Sequence, residues 1–252
     1  MKLAYKALAV AAAATLSSLT FADTTENPWG LSFSGTAAMT SDYRFRGVTQ
    51  AQNDPAVQVG FTASHDSGLY AGVWGSNIDF GSAAHLEIGP YLGFATELEN
   101  FAGKPVLDVG AWYFIYPSES DLNWLELYSK LTFNNVFMPD ASLAAGVNYS
   151  NDFIGDNTDA WYFNLSYAVP FAGTQFGAVA GLGYTLADKD YFGDDDKYLD
   201  WKVGVTYSFA SVEGLSAELA AVGSDIDYGS GTPSSVERGV ETGAVFTLTK
   251  AF

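Results

Sequence analysis

The sequence predicts an all-β chain: a transmembrane antiparallel β-barrel of about twelve strands behind a cleaved leader. Three observations predict it. Apolar residues alternate with small or polar ones in runs of about ten, the length a tilted strand needs to cross a bilayer. After the leader no stretch holds the roughly 18 uninterrupted apolar residues of a membrane helix, yet 48% of residues are hydrophobic and 15% aromatic. The final run alternates up to an aromatic last residue, Phe252.

The leader comes first. Lys2 and Lys6 precede the short apolar run "ALAVAAAATLSSL", and Thr20-Phe21-Ala22 offers a small-residue cleavage site. Residues 1–22 therefore read as a signal peptide cut before Asp23, leaving 23–252 as one barrel domain. The formal charge of −18 loses two lysines and no acid on cleavage, reaching −20. Such a surface disfavours nucleic acid, whose phosphates need Lys and Arg. The chain has no cysteine, which excludes disulfides, thiol chemistry and thiolate metal sites. No cofactor is expected.

Twelve runs follow, at 31–46, 56–64, 68–79, 85–97, 105–115, 122–134, 141–150, 159–169, 174–186, 197–209, 214–224 and 239–252. In 85–97, Leu86, Ile88, Pro90, Leu92 and Phe94 share a face opposite Glu87, Gly89, Tyr91 and Gly93. In 159–169, Trp161, Phe163, Leu165, Tyr167 and Val169 oppose Tyr162, Asn164 and Ser166. In 197–209, Leu199, Trp201, Val203, Val205 and Tyr207 oppose Asp200, Lys202, Gly204 and Thr206. The glycines in these strands give way to bulkier neighbours. An even count suits a single-chain bacterial barrel, and short turns such as "HDSG" alternate with longer, acidic loops such as "SDIDYGSGTPSSVER". A soluble β-sandwich would use strands of about five or six residues. The last run places Ala244, Phe246, Leu248, Lys250 and Phe252 on one face. It looks like the closing strand that the outer-membrane assembly machinery reads, with Lys250 snorkelling into headgroups.

The stretch "SDYRFRGVTQ" sets two cations between aromatic residues. If Leu31, Phe33, Gly35, Ala37 and Met39 face lipid, unbroken parity carries Tyr43 and Phe45 outward. Arg44 and Arg46 then face the lumen near the outer mouth. They form either an anion-attracting rim or anchors tied to acidic loops. The same parity sends Glu87, Asp108, Glu126, Lys130, Asp200, Lys202 and Glu218 inward, with Glu241 near a rim. These groups either line a water-filled pore, where the excess of acids favours cations, or pair off across a plugged one. Gly93 is expected to leave room for a larger lumen side chain.

"DKDYFGDDDK" half matches a calcium loop, through Asp188, Asp190 and Gly193. It lacks the fifth-place acid and the closing Glu, so it reads as a solvated outer loop with no metal. His85 has Asp79 and Ser82 nearby in sequence, but no nucleophile motif surrounds it and no enzyme is expected. His65 falls in a short turn remote from that end.

Tyr43, Arg44, Arg46 and Gly47, then Gly72, Trp74, Ser76 and Asn77, then Gly110, Tyr113 and Tyr116-Pro117 follow an order and spacing that resemble the TorF family of proteobacterial outer-membrane porins. The resemblance runs over most of the chain after the leader. It departs from the family's tyrosine pair before "YP", where this chain has Trp112-Tyr113-Phe114-Ile115. It implies a channel in the outer membrane of a Gram-negative bacterium, passing small hydrophilic solutes or ions, and it supplies no substrate. Expected partners are membrane lipids, lipopolysaccharide and the barrel-assembly machinery. The alternative is a barrel with a structural or adhesive role through its acidic loops.

Overall fold

The computed structural model describes residues 29–193, 195–229 and 232–252; the expected leader, 1–22, and Asp194 of the acidic loop lie outside them. The strands are β1 (Leu31–Thr40), β2 (Arg44–Phe45), β3 (Val48–Thr49), β4 (Ala56–His65), β5 (Leu69–Asn77), β6 (Leu86–Glu97), β7 (Val106–Phe114), β8 (Trp124–Asn134), β9 (Ser142–Ser150), β10 (Ala160–Pro170), β11 (Phe176–Ala187), β12 (Lys197–Ser208), β13 (Leu215–Ser224) and β14 (Gly243–Ala251). Twelve of them close into one antiparallel barrel in which each strand pairs with the next and β14 returns to β1; β2 and β3 form a separate hairpin. The closing ladder runs from Thr36↔Ala251 to Thr40↔Thr247, and the Phe252 N–H donates to the Gly35 carbonyl at 2.9 Å. Closure leaves no sheet edge, which is what lets strands span hydrocarbon.

The alternation dictates the faces. Phe33, Phe61, Leu92, Leu127, Phe163, Leu165, Val203, Leu219 and Phe246 point outward and are exposed. Their alternate neighbours point in. The apolar band is thus on the outside of the barrel, the reverse of a soluble sheet protein. Pro90 cannot donate to a ladder. The β6–β7 pairing accordingly stops at Tyr91↔Trp112 and resumes only as the single bridge Ile88↔Ile115.

Connections 66–68, 98–105, 135–141, 171–175 and 209–214 lie at the end that carries β1's start and β14's finish. The other end carries 41–55, 78–85, 115–123, 151–159, 188–196 and 225–242. Two predicted strands are corrected. The first stops at Thr40, not at 46, because the chain turns inward there to build the β2–β3 hairpin. The last begins at Gly243, not at 239, because a short helix, α1 (Ser234–Val240), takes those positions. Among the described residues no helix is long and apolar enough to cross a membrane.

Candidate functional site

The candidate site is the lumen, and its two sides differ. On β5, β6 and β7 the inward positions alternate glycine with a large ring: Gly72 and Trp74, then Gly89, Tyr91 and Gly93, then Gly110 and Trp112. A Cβ on Gly72 would collide with the Tyr91 phenol, and one on Gly89 with the Trp112 indole. At Gly93 and Gly110 it would meet Tyr70 and Tyr128. Each ring therefore lies flat over a neighbouring strand's glycine. Tyr91 stacks on Trp112 at 4.7 Å between centroids, and Phe114 on Trp124 at 4.1 Å. With Ile78, Tyr116, Phe153, Phe192 and Tyr198 they form one apolar cluster that fills the loop end of the barrel. The room expected beside Gly93 is taken by Tyr70.

The opposite side is hollow. Apart from Tyr198, Asp200, Lys202 and Glu218, the inward residues of β11 to β14 are small, hydroxylic or valine, among them Gly177, Val179, Gly181, Thr206, Ser216, Thr247 and Thr249. They bound a cavity of about 810 Å³. It extends to the turns at Thr174-Gln175 and Gly214, at the end away from the long loops. Its other limit is set by residues 42–47 of the hairpin, with Trp74, Trp112 and Phe114.

The hairpin decides the fate of the two arginines. Arg44 forms an ion pair with Asp42. It also donates to the carbonyls of Gly47 (3.0 Å), Arg238 (3.0 Å), Gly239 (2.8 Å) and Glu241 (3.2 Å), and to Asn53 Oδ1 (2.7 Å). Arg46, 4% exposed, forms an ion pair with Glu126, and its guanidinium lies 4.1 Å over the Tyr162 ring. Arg44 thus ties the hairpin to residues 238–241, and Arg46 ties it to the barrel wall. The expectation that Tyr43 and Phe45 face lipid is corrected. Tyr43 donates to Glu87 at 3.1 Å and meets Trp74 edge-on, while Phe45 packs on Phe114 and Trp124. Parity failed because the strand ended at Thr40 and the chain turned inward before Tyr43.

The other predicted groups fall into pairs. Glu87, 2% exposed, accepts from Tyr43 and, at 3.0 Å, from Tyr116. Asp108 accepts from Tyr70 and forms an ion pair with Lys130 at 3.2 Å. Glu126 also accepts from Asn148 at 2.8 Å. Lys202 pairs with Glu218 at 2.5 Å. Asp200 accepts from Tyr162 at 3.3 Å, and its second oxygen is buried with no hydrogen-bond partner among the described residues. Glu241 is not on a strand: it follows α1 with an exposed side chain, and its carbonyl serves Arg44. These pairings bring Arg44, Arg46, Glu87, Glu126 and Asp200 to the hairpin, and leave Asp108, Lys130, Lys202 and Glu218 deeper.

Sequence reasoning missed Asp42, Tyr116, Asn148 and Tyr162, which complete this network. Asp42 had a local signal, since it sits two residues before Arg44; the others are brought in by pairing between distant strands. At the loops, Ser82 donates to Glu119 at 2.5 Å, and Asp79 accepts from Gln52 and the Gly81 N–H. His85 meets Ser118 at 3.3 Å instead. Among the described residues no three His, Asp or Glu side chains converge to hold a metal ion. Loops 151–159 and 188–196 are clamped where Asp156 accepts from Tyr191 and from Lys189 Nζ, the latter at 2.9 Å. These bonds, that of Tyr191 first, hold the Asp156 carboxyl below the ordinary carboxylate range. The bond to Asp156 holds the Lys189 ammonium above its ordinary range.

A family model described as "Bacterial protein of unknown function (Gcw_chp)" matches residues 23–252. No curated protein matches. The solved NanC porin is similar over 87% of this chain and 98% of its own, with a TM-score of 0.54 at 11% identity. That degree of likeness establishes a shared barrel fold. An outer membrane channel from Pseudomonas putida F1 (TM-score 0.46, 13% identity, 92% of this chain and 100% of that one) is more distant. So is OprD of Pseudomonas aeruginosa (0.40, 12%, 88% and 66%).

Proposed function

The chain belongs to the bacterial family Gcw_chp, and from that premise we propose that it is a non-catalytic outer-membrane channel for passive diffusion of small hydrophilic solutes or ions, weakly selective for cations. One observation carries the reading: a closed barrel with an apolar outer band encloses an 810 Å³ cavity into which charged side chains project. Six carboxylates and four cations line that cavity, and an excess of fixed negative charge favours cations. Small inward residues on β11 to β14 keep it wide. The resemblance to TorF porins belongs to the same proposal. So do export by residues 1–22, a Gram-negative outer-membrane location with lipids and lipopolysaccharide around the barrel, and recognition of Phe252 by the assembly machinery.

The test is the reversal potential of the refolded protein in planar bilayers across a potassium chloride gradient. A modest cation preference is expected, largest at low salt, where the Debye length reaches about 30 Å at 0.01 M. Anion preference would overturn the selectivity, and absence of any current the channel. A second reading has its own support in the packed cluster at the loop end: a barrel acting structurally or adhesively through acidic loops. Under that reading, loop deletions abolish attachment while no variant conducts.

A further inference from the structure

We infer that the segment 41–53 is a gate, a self-contained unit that leaves the lumen as one body and thereby opens the cavity at its loop end. The inference rests on the channel reading above. Residues 42–47 wall the cavity at that end together with Trp74, Trp112 and Phe114, so their departure removes the part of the wall that is not anchored in a barrel strand.

The segment is bonded mainly to itself. Arg44 pairs with Thr49 and Phe45 with Val48. The Gln50 N–H donates to the Tyr43 carbonyl at 2.7 Å, and Thr49 Oγ1 to Asp42 Oδ1 at 2.6 Å. It shares no ladder with the barrel; Ser41 is fixed to β14 at its root, and the Asp79 N–H donates to the Gln50 carbonyl at 2.8 Å. What holds it inside is side chains: Tyr43 on Glu87 and Trp74, Phe45 on Phe114 and Trp124, and Arg46 on Glu126 and Tyr162. Each of those carboxylates keeps a second donor on the wall: Tyr116 for Glu87 and Asn148 for Glu126. Retraction therefore strands neither carboxylate without a partner, the usual obstacle to breaking a buried ion pair. Arg46 moves to water. On the return leg Gln52 and Asn53 are left-handed, φ 50° and 66°, a conformation that non-glycine residues hold at a cost. They mark the hinge. Arg44 binds three carbonyls of 238–241, so that stretch travels with the hairpin.

The absence of native cysteine permits a clean lock. Ala51 and Asp79 form an isolated bridge, within reach of a disulfide, and Ala51 lies on the hairpin side of the hinge. The full chain carrying A51C and D79C is compared, oxidised and reduced, with wild type in planar bilayers. Oxidation is expected to cut open time by about tenfold or more, and reductant to restore it. Arg46→Ser and Glu126→Gln, each checked for heat-modifiable migration, are expected to raise open time by about tenfold, because either change removes an ion pair that exists only in the closed state. Equal open time in the oxidised and reduced forms overturns the gate while leaving the channel reading intact. So does a folded Arg46→Ser barrel that gates like wild type. No current from wild type and the reduced variant alike ends the channel reading, and the gate with it.

Discussion

The β5–β7 side and the β11–β13 side of the lumen are built by one rule and reach opposite results. Both alternate outward apolar residues with inward residues that include glycines. On the first side each inward glycine receives an aromatic ring from a neighbouring strand, and the lumen is filled. On the second, Gly183 near the loop end is still covered by Tyr162, but a Cβ on Gly181 would find nothing closer than the Leu165 carbonyl oxygen at 3.8 Å and Lys202 Cβ at 3.9 Å, and from there on the lumen is hollow. An inward glycine is thus no sign of an open pore. What matters is whether a neighbouring strand sends a ring to lie over it.

The largest expected effect breaks the packed side. Gly89→Leu drives a side chain into Trp112, which is itself stacked on Tyr91 and cannot retreat. It should cost more than the ~1–3 kcal/mol usual for overpacking and abolish the heat-modifiable barrel on unboiled gels. Gly181→Leu, the matching change on the hollow side, should fold and lower single-channel current. Equal behaviour of the two would dissolve the distinction.

Next comes the contrast between outside and inside on a single strand. Leu92 is 63% exposed on the outer face, and Leu92→Arg should lower stability against urea in bilayers by about 2–4 kcal/mol. Gly93→Ala, one residue on, meets Tyr70 rather than open space and should also destabilise, by about 1–3 kcal/mol. A neutral Gly93→Ala would place Tyr70 elsewhere.

A smaller effect reads the hollow side electrically. Glu218→Gln removes one carboxylate beside Lys202, and the reversal potential should shift toward anions. An unchanged potential would mean that ions do not pass this wall.

The smallest effect concerns the loops. Asp156, with its carboxyl held low, contributes to the clamp above the ordinary carboxylate range and loses that contribution as pH falls through the lowered value. Lys189, held high, contributes below the ordinary lysine range and loses it as pH rises through the raised value. The clamp is intact across neutral pH. Because both groups are exposed, the effect is modest. Asp156→Asn should speed tryptic cleavage after Lys189 at neutral pH, and an unchanged rate would mean that these bonds do not restrain the loops.

The barrel was legible because period-two alternation is a local property, readable within ten residues at a time. Strand number, the face of Leu92 or Trp161, and the inward side of Glu126 or Lys130 all follow from it. The filling of the lumen was not legible, because it is made of distant partners. Tyr43 finds Glu87 44 residues away, Arg46 finds Glu126 80 away, and Arg44 finds the Arg238 carbonyl 194 away. Nothing within "SDYRFRGVTQ" marks the break at Thr40, since its own alternation continues unbroken into Arg46. The α1 turn was hidden likewise, within a loop too rich in Ser, Thr and Gly for a helical period to show.

The join between β1 and β14 has a consequence in time. Eleven of the twelve barrel ladders link strands that are neighbours in sequence along the barrel and form by local zipping; this one brings together groups such as Phe246 and Ser41, 205 residues apart. Closing so long a loop carries the highest entropic cost of any pairing in the molecule. Until that step the sheet is an open ribbon with two raw edges, able to pair with any other strand. The interval before closure is when the chain is most exposed to aggregation.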